Sequence, residues 1–143
     1  MRILFYYRGS EQLGVELLSS ILKQQGHEVG LLYDPGADNV FYFQLPIFKL
    51  LNVEKRLVNE AIAYKPDLIA FSCLTNLYPY VKSIATELKN HLDVPFIIGG
   101  VHPTTVPQKV MDEIEKGKAV HNFMLGELDP SEFHRSFTTS LGV

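Results

Sequence analysis

Residues 65–72 read Lys65-Pro66-Asp67-Leu68-Ile69-Ala70-Phe71-Ser72. Pro66 ends any helix before it, because its ring carries no N–H and clashes with the preceding turn. Leu68 to Phe71 is then an unbroken apolar run, the mark of a strand buried on both faces. Upstream, a helix is expected over roughly Val53 to Tyr64, with Leu57, Val58, Ala61 and Ile62 inward. Downstream, a second helix from about Tyr80 sets Val81, Ile84, Ala85 and Leu88 on one stripe. A two-sided strand between helices is the repeating unit of a parallel sheet, since parallel neighbours need a crossover between them.

The same rhythm extends outward from this unit. Ile3 to Tyr7 is a first strand, and from Glu11 a helical pattern puts Leu13, Leu17, Leu18, Ile21 and Leu22 on one stripe. Gly26 stands where a left-handed C-terminal cap belongs, and Val29 to Tyr33 is a second strand closed by Asp34-Pro35-Gly36. Residues 37–52 are the least regular part and rich in aromatics. Pro95 to Ile98 is a fourth strand ending in Gly99-Gly100. Thr105-x-x-Gln108 reads as a capping box opening a helix through Glu115, with Val110, Met111 and Ile114 inward. Val120 to Leu125 is a fifth strand, closed by Gly126-Glu127. Five strands alternating with four helices predict an α/β fold: a doubly wound, five-stranded parallel sheet of Rossmann or flavodoxin-like type, in the order 2-1-3-4-5.

A chain of 143 residues suffices for one domain, and 46% hydrophobic residues give it a core that needs no staples. The net charge of -3 disfavours nucleic acid as a partner, because phosphate binding wants a basic surface. One cysteine, Cys73, excludes an intramolecular disulfide and a cysteine-ligated iron–sulfur cluster, and a reducing cytoplasm is the expected location. No membrane segment is expected: the most apolar stretch, Val40 to Leu51, is short and broken by Gln44, Pro46 and Lys49.

In an open parallel sheet, ligands bind beyond the carboxyl ends of the strands, where the strand order reverses. The loops after the first, third, fourth and fifth strands therefore hold the candidate site. They lack the acidic pocket of a phosphorelay receiver, the hydroxyl-rich phosphate loop of a flavodoxin, and any Gly-x-Gly-x-x-Gly or P-loop motif. Hydroxyls, apolar side chains and glycines remain. Ser72, Leu74 and Thr75 stand at the mouth of the third strand, and Gly99-Gly100 removes side chains at the mouth of the fourth. Such a cleft suits a large, flat, mostly neutral molecule with an aromatic tail.

Ser72-x-Leu74 followed, after 24 residues, by Gly99-Gly100 resembles the cobalamin-binding domain. Five stretches in order are similar to the amino-terminal domain of cobalamin-dependent radical SAM enzymes. These are Glu11-Gln12-Leu13-Gly14, Gly26-His27-Glu28-Val29, Lys65 to Ser72, Gly99-Gly100-Val101-His102-Pro103-Thr104, and Gly126-Glu127. The likeness covers residues 1–128, leaving 129–143 as a tail or the start of a linker. It implies cobalamin as cofactor, with Ser72 hydrogen-bonding the dimethylbenzimidazole, Leu74 packing on the corrin or tail, and Gly99-Gly100 admitting the tail. Gln12, Leu13, Gly14, Thr75, His102, Gly126 and Glu127 complete the cofactor-binding residues it implies, and no side chain is expected to ligate the metal.

Two departures shape that expectation. Methyltransferase and mutase versions carry Asp-x-His-x-x-Gly after the first strand, whose His ligates cobalt from below. Here Gly9-Ser10-Glu11-Gln12-Leu13-Gly14 keeps only the last glycine, so a displaced base and a lower face left to water or shielded by Gln12 and Leu13 are expected. Radical SAM chemistry also needs a Cys-x-x-x-Cys-x-x-Cys loop, so any such catalytic domain lies elsewhere, and no catalysis is expected from this chain alone. Plainer readings stand beside these. Ser72 satisfies backbone groups at a strand end, Gly99-Gly100 serves a turn, His102 feeds a helix start, and Cys73 is an inert core thiol. Two other functions fit the fold class: a Rossmann-like interaction domain that has lost its ligand, and the amino-terminal half of a glycosyltransferase-like enzyme.

Overall fold

In the computed structural model, residues 1–9, 12–36, 53–114 and 120–122 are described. Along the chain run β1 (Arg2–Arg8), α1 (Leu13–Gln24), β2 (Glu28–Asp34), α2 (Val53–Tyr64) and β3 (Leu68–Ser72). After a 3-10 turn (Thr75–Leu77) come α3 (Tyr78–His91), β4 (Phe96–Gly99), α4 (Val101–Thr105), α5 (Pro107–Ile114) and β5 (Val120–Asn122). All pairings are parallel, in the order β2-β1-β3-β4-β5. The expected α/β architecture with a parallel sheet is what the chain adopts.

The stretch that decides the fold does so through backbone chemistry at the amino edge of the sheet. Lys65 takes a left-handed φ of 52° as α2 ends, and Pro66 prevents its continuation. Asp67 then locks β3 to β1: its Oδ2 accepts from Arg2 N–H (2.7 Å), and its own N–H donates to Arg2 O (2.8 Å). At the other crossover, Gly26 (φ 85°) caps α1, with Gly26 N–H to Lys23 O and His27 N–H to Leu22 O, both 3.0 Å.

Strand alternation sorts the core into two layers. Leu4, Tyr6, Leu32, Ile69, Phe71, Phe96 and Ile98 face α2, α3 and α5, where Leu57, Ala61, Val81, Leu88 and Val110 bury against them. Ile3, Phe5, Leu68, Ala70 and Ile97 face α1, through its Val15 and Leu22. Edge-tilted ring contacts link Tyr6 to Phe71 (5.6 Å) and Phe71 to Phe96 (5.4 Å), tying three adjacent strands together.

Three local expectations are corrected. Leu22 is buried and Leu18 packs beside it as expected, but Leu13 and Leu17 are exposed and α1 buries Val15 and Ser19 in their place, so its inward face is turned about a third of a turn from the expected stripe. Ile62 is exposed rather than inward. Thr105 is not the cap of a single helix: its hydroxyl donates back to Val101 O (2.8 Å) in α4. Two helices form instead, α4 beginning directly after Gly100 and α5 opening with Pro107, because the residue before a proline is pushed out of the helical region. The aromatic stretch Phe41 to Phe48, Phe123 to Leu125, Gly126, Glu127 and the tail lie outside the described residues.

Candidate functional site

The carboxyl ends of β1, β3 and β4 lie side by side, so the loops leaving them share one edge of the sheet. Three large apolar side chains stand uncovered there: Leu13 (81% exposed) opening α1, Leu74 (42%) after β3 and Val101 (59%) after β4. On α1's face of the sheet, side chains shrink toward that edge, from Leu68 through Ala70 to Ser72 along β3 and from Ile97 to Gly99 along β4. A strip of small residues thus leads inward from an apolar rim.

The loops after β3 and β4 are welded into one unit. Cys73 N–H donates to Gly99 O (2.8 Å) and His102 N–H donates to Cys73 O (3.2 Å). Gly100 has φ 107°, and a Cβ there would lie 2.6 Å from the Cys73 carbonyl oxygen. The second glycine of the pair is therefore required by its own chain, whatever the ligand. The strand-end backbone is satisfied by the sheet, so the half-buried Ser72 hydroxyl is not consumed by it, and no hydrogen bond joins that hydroxyl to a described residue.

His102 sits apart from the strip. Its ring is buried against that of Tyr78 (centroids 4.2 Å), a member of the layer facing α2 and α3, whereas Ser72 and Gly99 lie on α1's side. Gln12 caps α1 through its backbone only, its O accepting from Val15 N–H (2.9 Å), with no side-chain capping bond. Gly14 is exposed, and a β-carbon added there would meet nothing within 4 Å; Thr75 is exposed at the start of the 3-10 turn. The structure therefore brings together Leu13, Ser72, Leu74, Gly99 and Gly100 at the crevice and leaves His102 behind it.

Sequence reasoning missed the charged network beside the crevice. Arg8 and Asp34 end β1 and β2 in register, both buried, and pair at 2.6 Å. Tyr6 donates to the same carboxylate oxygen (3.0 Å), Gly36 N–H donates to the other (2.9 Å), and the Arg8 guanidinium lies 3.7 Å over the Tyr80 ring in α3. Burial, then the adjacent Asp34 carboxylate, holds the Tyr6 phenol far above its ordinary range, so it stays a hydrogen-bond donor. Loss of one partner of such a buried pair costs about 3–5 kcal/mol. Arg8 is thus paired with Asp34 at the carboxyl edge, each offsetting the other's charge. The available signal was opposite charges at matched ends of adjacent parallel strands; Asp34 reads from sequence only as a turn former.

These features define a class: an α/β domain with a parallel sheet and a candidate ligand site at its carboxyl edge. The fold resembles the crystal structure of a novel cobalamin-binding protein from Desulfitobacterium hafniense DCB-2 (TM-score 0.63, 17% identity, 96% of this chain covered). This chain spans 57% of the length of that protein. The curated proteins include no match. The sequence model of the B12 binding domain family matches residues 9–126, so the chain belongs to that family, and cobalamin is its cofactor. Among the described residues, no helix is long and apolar enough to cross a membrane.

Proposed function

We propose that this chain holds cobalamin with its lower base displaced and no histidine on the cobalt, and presents the corrinoid to a radical SAM catalytic domain. The observation that carries the reading is the row of small residues Ala70, Ser72 and Gly99, which runs to the carboxyl edge of the sheet where Leu13, Leu74 and Val101 are exposed. The tail would lie along the strip with Ser72 as its hydrogen-bond partner, and the rim would pack on the corrin. Gln12 and Leu13, at the start of α1, would shield the lower face.

The absent histidine supports displacement without replacement. The β1–α1 loop, where the family's cobalt-ligating histidine would stand, contains none. When bound, the corrinoid supplies methyl or radical transfer; the chain's residues bind it, orient it and exclude a lower ligand. A single, buried cysteine cannot hold the cluster of a radical SAM site, so that chemistry falls to a domain outside 1–128, reached through 129–143 or as a separate subunit. The same lone thiol fits a cytoplasmic setting.

The electron paramagnetic resonance spectrum of the cob(II)alamin complex tests the cobalt environment. The expected signal lacks nitrogen superhyperfine splitting, marking an axial position with no imidazole or benzimidazole; resolved nitrogen splitting would sink the reading.

A further inference from the structure

Away from the candidate site, β2 forms an edge of the sheet. It pairs with β1 along its whole length, Glu28 to Asp34, with no bulge. Glu28 N–H donates to Met1 O and Asp34 O accepts from Gly9 N–H, both 2.9 Å, so the even-numbered residues spend their backbone groups on β1. Val29, Leu31 and Tyr33 therefore aim theirs outward. Among the described residues, only the Arg56 guanidinium reaches that row, donating to Tyr33 O (3.3 Å).

A bare row of backbone groups is a template for another strand, and native edges are blunted by lysine, proline, a bulge or a covering element. Between its charged ends β2 carries none of the first three. On α1's face it also leaves Leu31 (53%) and Tyr33 (43%) exposed. An antiparallel strand from a second copy, centred on Leu31, would use every outward group: Leu31 opposite Leu31, and Val29 opposite Tyr33. Sliding it by two residues brings into the row either Pro35, which has no N–H, or His27, whose N–H is already given to Leu22 O.

The charges match in the same register. Glu28 is exposed on α2's face of the sheet, and it would arrive beside Tyr33 of the second copy, where Arg56 stands at the carbonyl. Two-fold symmetry repeats that contact, so opposite charges meet at both ends of the paired strands. Asp34, the like charge at that level, is already paired with Arg8.

We infer that β2 is a homodimer interface, two copies joining β2 to β2 in antiparallel register about Leu31 to make one continuous sheet. The carboxyl edges of the two copies then point in opposite directions, and each candidate site, at β1, β3 and β4, stays clear of the interface. This inference goes beyond cobalamin binding and does not depend on how the cofactor is held.

The test is sedimentation equilibrium of the full chain, from about one to several hundred micromolar. The expected result is a reversible monomer–dimer equilibrium. Leu31→Lys sets like charges directly opposite each other and should weaken dimerisation at least about tenfold, with the circular dichroism spectrum unchanged. Leu17→Lys, on the outer face of α1, should leave dimerisation unchanged. In Leu31→Cys a short bismaleimide should join the two copies, whereas the wild-type chain, whose Cys73 is buried, should not cross-link. A chain that stays monomeric throughout, its edge covered by its own residues or by another protein, overturns the inference. So does a dimer insensitive to Leu31→Lys, or a mass that keeps growing beyond two copies.

Discussion

The Cys73 thiol is fully buried where β3 leaves the sheet, and burial pushes its pKa up to about 12. The folded value lies above the ordinary one near 9, so the group's contribution to stability is complete below about pH 9 and is lost as pH rises through about 12. Over that window the wild-type chain loses up to about 1.4 kcal/mol per pH unit through this thiol. Tyr6 acts with the same sign from about pH 10 upward, and its share is common to wild type and variant. Urea denaturation at pH 8 and pH 11 should therefore show a steeper loss for wild type than for Cys73→Ala; equal losses would contradict the assignment. The reading of Cys73 as an inert core thiol was available from its place after a buried strand. The role of Gly100 was not: a glycine pair at a strand mouth looks the same in sequence whether it admits a ligand or accommodates the Cys73 carbonyl.

Helix α1 shows how periodicity can be right about an element and only partly right about its face. The expected stripe spans two narrower ones: Leu13, Leu17 and Ile21 form one, and Leu18 and Leu22, with Val15 and Ser19, form another about two-fifths of a turn away. Hydrophobicity alone favours the leucines. The sheet instead takes the stripe whose small members, Val15 and Ser19, let the helix approach closely, and it leaves Leu13 and Leu17 to solvent. Leu17→Lys should therefore shift stability by less than about 0.5 kcal/mol, whereas Val15→Ala should cost about 2 kcal/mol. Denaturation midpoints with unchanged slopes would check both, and a larger cost for Leu17→Lys would reverse the assignment. The same limit applies around Thr105, where the capping pattern was present but the proline two residues on decided the break between α4 and α5.

At the scale of the molecule, the parallel sheet was legible because buried strands such as Leu68 to Phe71 and Phe96 to Ile98 leave continuous apolar runs between amphipathic helices. The crevice followed from the topology, and its neutral, small-residue character followed from which residues are absent as much as from those present. The Arg8–Asp34 pair was harder to read, since its signal, opposite charges at strand ends, gains meaning only when β1 and β2 end in register across 26 residues of sequence. Family membership gives the ligand, and the strip and its rim bear on how the chain would hold it.

Titration of the purified chain with hydroxocobalamin and methylcobalamin, read by visible absorption and calorimetry, tests that mode of binding most directly. Ser72→Tyr is the informative variant, since it fills the strip from within, whereas any side chain at Gly100 first strikes Cys73. The expected result is saturable binding with a base-off spectrum, weakened at least about tenfold in Ser72→Tyr while the variant keeps its fold. Binding with the base still on cobalt, or affinity unchanged by Ser72→Tyr, would contradict it.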